Sequence, residues 1–162
     1  MLVRKGDKKD FDRLEWGWSK DYPTKELFKK RLKLGIHEFW VVEAENTWEL
    51  LGEIHIIKDS PDKDEADGEK RAYLCTFRVH PEYRGMGIGK KLKEKAFLRS
   101  VETGKKELTI GVKKNAPEIR SMYNKWGFTE FVKKKYIDHH NIDENGNYTR
   151  LELPIELYLK RM

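Results

Sequence analysis

The 162-residue chain has one cysteine, five prolines and no apolar run approaching the roughly 20 residues that cross a bilayer. Each shortage excludes something. A single thiol, Cys75, rules out an intrachain disulfide and a cysteine-built zinc site. The opening Met1-Leu2-Val3-Arg4-Lys5-Gly6 runs straight into charged residues and carries no secretory hydrophobic segment, so a cytoplasmic protein without a membrane partner is expected. There is no internal repeat. Two common phosphate motifs are also missing. Lys90 stands five residues after Gly85, where a Walker loop or a dinucleotide fingerprint requires glycine.

What is present is charge and aromatic bulk. Charged residues make up 38% of the chain and the mean hydropathy is −0.85, yet five Trp, seven Tyr and seven Phe supply core material. That combination describes a globular protein with a heavily solvated exterior, and the length suits a single domain over residues 1–162. The net charge of +6 is uneven: residues 1–80 hold 16 Lys and Arg against 17 acids, and residues 81–162 hold 18 against 11. The positive half should attract anions.

Periodicity outlines the elements. A short strand at Met1–Lys5 precedes Asp7–Trp18, where Phe11, Leu14, Glu15 and Trp18 have helical spacing and Asp7 is a plausible cap. Pro23 opens a second helix that ends at Gly35. Glu38–Glu45 reads as a strand with Trp40, Val42 and Ala44 on one face and Phe39 and Val41 on the other, hairpinned to Leu50–Lys58. Tyr73–Val79 and Lys106–Val112 are further strands, the second with Leu108, Ile110 and Val112 on one face. Thr129–Ile137 and Tyr148–Leu159 flank an Asn145-Gly146 turn, with Pro154 marking a bulge or edge. Antiparallel pairs followed by a crossover helix imply an α/β fold with a mixed sheet.

The most informative stretch is Val79-His80-Pro81-Glu82-Tyr83-Arg84-Gly85-Met86-Gly87-Ile88-Gly89-Lys90-Lys91-Leu92. A strand stops at a proline, a glycine-spaced turn follows, and a lysine-rich helix begins with Leu92, Ala96 and Val101 as its apolar face. Glycine lets backbone N–H groups converge, and a helix N-terminus adds a favourable dipole, so the segment is a phosphate cradle. The pattern Arg84-x-x-Gly87-x-Gly89 resembles the pyrophosphate loop of the GNAT N-acetyltransferases. A second block, Asn115-Ala116-Pro117 through Tyr123-Asn124-Lys125-Trp126-Gly127-Phe128, is similar to the helix that follows in that family. Together they cover about residues 72–131; the N-terminal third is similar only in outline.

The resemblance implies a single-domain fold with a twisted sheet of six or seven strands, helices on both faces and splayed central strands. It implies acetyl-CoA as donor cosubstrate and a primary amine as acceptor, attacked directly. The strand before the loop would hold the donor arm through Phe77 and Val79, and the loop Arg84, Gly85, Met86, Gly87, Ile88, Gly89 and Lys90 would hold the pyrophosphate. Asn115 would bond the arm, with a helix cap as its alternative. Tyr123 would protonate the departing thiolate. For the general base, Glu53 is the expected residue, sharing one strand face with His55; Glu43 is a similar candidate. Cys75 reads as a packed thiol rather than a nucleophile. Homodimers are common in the family, and no feature of the chain decides the matter.

Two polar insertions remain. Residues 59–69 hold six acids and read as a solvated loop, or as a contact for a cationic acceptor. Residues 137–148 contain His139 and His140, which point apart in an extended chain and find no third ligand at zinc-like spacing, so no metal is expected. Two other functions stay open: a non-catalytic coenzyme A sensor, and a basic protein associated with nucleic acid, although no recognition motif for the latter is visible.

Overall fold

The computed structural model describes residues 1–19 and 22–162. Seven strands form one mixed sheet in the order β1-β2-β3-β4-β5-β7-β6, where β1 is Leu2–Lys5, β2 His37–Glu43, β3 Leu50–Ile57, β4 Arg71–Val79, β5 Glu107–Lys113, β6 Glu130–Ile142 and β7 Tyr148–Arg161. Only β4 and β5 run parallel, and helix α2 (Ile88–Glu102) is the crossover between them. Helices α1 (Pro23–Leu34) and α3 (Pro117–Lys125) complete the set. No helix among the described residues is long and apolar enough to cross a membrane.

Strand alternation sorts the core onto two faces. Val42, Ile54, Ile56, Leu74, Leu108, Ile110 and Val112 project toward α2, where they meet Ile88, Leu92 and Ala96. Phe39 and Val41 project the other way, onto Phe11, Leu14, Trp18 and Phe28. Burying one such phenylalanine is worth about 1.5–3 kcal/mol. Val101 does not belong to the buried stripe of α2: it is 60% exposed, and Ser100 takes the place in the four-residue series 88, 92, 96, 100, bonding Ala96 O through its hydroxyl.

The N-terminal segment departs from the expected helix. Lys8–Arg13 is a 3-10 helix followed by turns. Asp10 explains the tight winding, because its carboxylate accepts from Asp7 N and from both terminal nitrogens of the Arg4 guanidinium. Phe11 and Leu14 still share a face, since a spacing of three suits a 3-10 helix as well as an α-helix. Gly17 then admits a close approach by a side chain of β4. A Cβ there would lie 2.8 Å from Cζ of Arg78.

The central strands part where expected. Pairing between β4 and β5 runs from Arg71 with Glu107 to Leu74 with Ile110 and stops. Thr76 follows with φ +48, a conformation that a β-branched residue rarely adopts, and the register against β3 shifts there. Beyond Leu74, β4 keeps β3 as neighbour and offers its other edge to the gap. The last hairpin is longer than the sequence pattern suggested: β6 continues through Ile142, so the insertion shrinks to a turn at 143–147, with Gly146 at φ +81. Pro154 lies in the stretch of β7 between Arg150 and Ile155, where the register against β6 is interrupted.

Candidate functional site

Two cavities open where β4 and β5 separate. The larger, about 900 Å³, lies on the α2–α3 side and is lined by Phe77, Val79, Arg84, Gly89, Lys90, Lys93, Tyr123 and Trp126, among others. The smaller, about 300 Å³, lies on the α1 side and includes Trp18, Tyr22, Tyr73, Cys75, Thr76 and Asp138. Three residues line both: Phe77, Arg78 and Tyr123. That shared wall is the natural meeting point for two ligands.

The large cavity ends at a cradle made by backbone. Gly87 caps α2 in a left-handed conformation (φ +79), no side chain caps the helix, and its first turn holds no acidic residue. The first N–H groups of a helix have no intrahelical partner, so those of Ile88, Gly89 and Lys90 remain donors for an anion. Ile88 serves doubly, since its side chain is buried in the core. Arg84, Lys90 and Lys93 add positive charge, with the Lys93 ammonium 4.9 Å from the ring centre of Trp126. Gly85 and Met86 form the turn without lining the cavity. Asn115 sits exposed in the turn before α3 and lines neither cavity, and the cap position belongs to Ala116, which makes no side-chain bond.

Tyr123 stands at the junction on α3. Burial pushes its phenol up to about 12, so it is protonated at neutral pH. Cys75 lines the small cavity, and burial raises its thiol to about 12 as well, which leaves little nucleophilic thiolate.

Glu53 is placed differently from the expectation of a base in reach of the acceptor. It is fully buried and lines neither cavity. Its carboxylate accepts from Trp18 Nε1 at 3.0 Å, His55 Nε2 at 2.5 Å and Arg78 Nη2 at 2.9 Å. Burial opposes ionisation, but these bonds and the Arg78 charge outweigh it and hold the carboxyl below its usual value. His55 continues the chain to His37, Nδ1 to Nε2 at 2.7 Å. Burial lowers both histidines, so both are neutral at pH 7. The bonds then fix the tautomers: His55 donates from Nε2 to Glu53, and His37 donates from Nε2 to His55, leaving His37 Nδ1 a bare acceptor. Glu43 is likewise engaged, by Arg4 and Arg13.

The acidic loop is not solvated throughout. Glu65 is buried and binds Ser60, His140 and Lys135, while Asp62 binds Lys133 and Lys135 of β6. Asp62, Glu65 and His139 come within metal-ligand reach of one another, a grouping that spacing alone did not reveal. The Lys135 ammonium already contacts all three.

The sequence profile of the GNAT acetyltransferase family matches residues 8–128. The chain belongs to this family. No curated protein matches it. Solved structures of GNAT enzymes superpose over nearly the whole chain at low identity. A ribosomal-protein-alanine N-acetyltransferase from Brucella melitensis has a TM-score of 0.66 at 16% identity, with 100% of each chain covered. A GNAT acetyltransferase from Elizabethkingia anophelis, solved with acetyl-CoA bound, has 0.66 at 18%, covering 99% of this chain and 97% of its own. A mutant of spermidine N-acetyltransferase from Vibrio cholerae has 0.65 at 16%, covering 99% and 95%. The protein is therefore an acetyl-CoA-dependent N-acetyltransferase. The residues fit that donor: an uncapped helix start for the pyrophosphate, an unpaired strand edge for the arm, and an aromatic wall at its end. Trp126, Lys93 and the residues of α1 and β6 that line the smaller cavity were not legible as cavity residues, although Trp126 lies inside the second motif block.

Proposed function

We propose that this GNAT enzyme transfers the acetyl group to a primary amine by direct attack, with Tyr123 as the proton donor to the leaving sulfur. One observation carries the reading: the donor cavity and the acceptor cavity share a wall made of Phe77, Arg78 and Tyr123. The donor supplies an activated acyl carbon, and the protein supplies position. The amine nitrogen forms a bond to that carbon, the C–S bond breaks, and the sulfur takes up a proton. A phenol near 12 is a weaker acid than an ordinary thiol near 8.5, so Tyr123 acts by hydrogen bonding to sulfur as negative charge builds, and the proton it gives as the bond breaks is regained from solvent. Direct attack is favoured over an acyl-cysteine route by the protonated state of Cys75.

Glu53 works at one remove. It fixes Arg78 and Trp18 rather than touching the amine, and the amine's proton leaves by way of the open acceptor cavity. The single thiol, Cys75, supports a cytoplasmic setting. The acceptors named for the structural neighbours, ribosomal-protein alanine and spermidine, differ from each other and fix none for this chain.

The test is Tyr123→Phe. Acetyl transfer should fall by about 100-fold in kcat, within the range for loss of a general acid, while the Kd for coenzyme A moves less than about threefold. Equal loss of both would make Tyr123 a packing residue.

A further inference from the structure

The acceptor cavity is small and bolted shut on one side. At the start of α1, the Tyr22 hydroxyl and the Thr24 hydroxyl both donate to Asn141 Oδ1 on β6, at 2.5 and 2.6 Å. Ile142 N donates back to Thr24 Oγ1 at 3.1 Å. Further along the helix, Arg31 donates to His139 O and meets His140 Nδ1, both at 2.8 Å. These bonds join α1 to the far end of β6 across more than 100 residues of sequence and close that side of the cavity among the described residues. A cavity of about 300 Å³ bounded in this way suits a small molecule.

One charge in its wall is held still. Arg78 donates from Nη1 to Gly17 O at 2.7 Å and from Nη2 to Glu53 at 2.9 Å, and its guanidinium lies 5.0 Å from the ring centre of Trp18. Glu53 is anchored in turn by Trp18, His55 and His37. A buried chain of four side chains thus immobilises a single guanidinium at the junction of the two cavities. Gly17 has no Cβ because Arg78 lies against it. Among the described residues two of the five N–H donors of Arg78 are engaged, both from the terminal nitrogens. The side chain is about a third exposed and lines both cavities, so the remaining Nη hydrogens are the donors a ligand oxygen can reach. A fixed planar guanidinium pairs well with a carboxylate.

We propose that the acceptor is a small α-amino acid, its carboxylate received by Arg78 and its amino group set beside Tyr123 at the junction. This rests on the acetyl-transfer reading above. Carboxylate and amine are neighbours in an α-amino acid, so both fit the shared wall while the side chain extends into the acceptor cavity. There it meets Asp138, which lines that cavity alone and has no cationic partner among the described residues. Its one recorded bond is from His140 N. Amino acids with a cationic or hydrogen-bond-donating side chain should therefore be preferred.

The experiment compares pairs. Lysine, glutamate and methionine are each assayed for thiol release from acetyl-CoA beside the amine formed by their decarboxylation, together with a peptide bearing a free N-terminus. Each amino acid should exceed its decarboxylated partner in kcat/KM by roughly tenfold or more. Arg78→Gln should erase that ratio, mainly through KM, and Arg78→Lys should leave an intermediate one. Asp138→Asn should keep the ratio and change the ranking among side chains, which guards against a fold made unstable by the loss of Arg78. Decarboxylated amines or the peptide reacting as well as the amino acids would overturn the inference and leave acetyl transfer standing. So would an Arg78→Gln variant that slows both members of a pair equally. If no amine releases thiol, the acetyl-transfer reading fails by itself. Calorimetry of the same amino acids against the coenzyme A-saturated protein then decides: binding that Arg78→Gln abolishes supports the carboxylate site, and no binding overturns it.

Discussion

The donor and acceptor sides of this molecule are built by different means. On the donor side the ligand-facing groups are mostly backbone: the uncapped start of α2, the left-handed Gly87 and the unpaired edge of β4. On the acceptor side they are side chains, held by a buried network running from Arg78 through Glu53 and His55 to His37. Backbone geometry depends on local sequence and tolerates drift in the surrounding side chains. A side-chain network fails when one member is lost, because each buried polar group relies on the next. The same contrast suits a family whose donor is constant and whose acceptors vary.

The largest expected break is on the acceptor side. Glu53→Ala leaves Arg78 without its carboxylate, and leaves Trp18 Nε1 and His55 Nε2 as buried donors without acceptors. Denaturant unfolding should show a loss of about 3–5 kcal/mol, as for one partner removed from a buried pair. A loss below about 1 kcal/mol would mean that the aromatic core around His55, not the network, holds this side together.

The donor side should break more gently and more selectively. Gly87→Val forces a β-branched residue to φ +79, costing about 1–2 kcal/mol in the helix start. A Cβ at Gly87 meets nothing within 4 Å, so the effect comes from backbone strain and not from crowding. Coenzyme A affinity measured by calorimetry should weaken roughly tenfold, with the acceptor preference unchanged. A change in acceptor preference instead would show that the two sides are not separable.

The smallest effect sharpens the comparison through pH. His37 lies well below its ordinary value and His55 is also lowered, chiefly by burial. In the window between these lowered values and the unfolded value near 6.5, the unfolded chain carries protons that the native chain does not. Stability is thus fully present above about pH 6.5 and is lost as pH falls below it, by at most about 1.4 kcal/mol per pH unit for each histidine. The carboxyls of Glu53 and Glu65, both held low, add their own loss only below about pH 4.5. His37→Phe should flatten the unfolding free energy between pH 5 and 7 by one histidine's share. An unchanged slope would place the proton uptake elsewhere.

The contrast also explains what could be read in the chain. The phosphate cradle was legible because its glycines fall within five residues and act through local φ and helix start. The sheet faces were legible because Phe39 and Val42, or Leu108 and Ile110, obey period two. Glu53 and His55 were correctly placed on one face, but period two does not say whether a face is covered. What covers it is Phe28 of α1 together with Phe11 and Trp18, the last two from a stretch whose helical spacing gives way to a 3-10 helix bent by Asp10 and then turns. Asp138 and Asn141 looked like loop residues because the polar run 138–147 hides the continuation of β6. The partners of Asn141, Tyr22 and Thr24, lie more than 100 residues away. No local pattern encodes a contact of that span.

The most direct measurement joins the two sides in one vessel: calorimetric binding of coenzyme A, followed by thiol release from acetyl-CoA with and without primary amines. Two cavities meeting at Tyr123 predict that the protein binds the donor and releases thiol above hydrolysis only when an amine is present. Donor binding with no amine-dependent release would contradict that, leaving the donor half as a coenzyme A sensor whose acceptor cavity takes no part in chemistry.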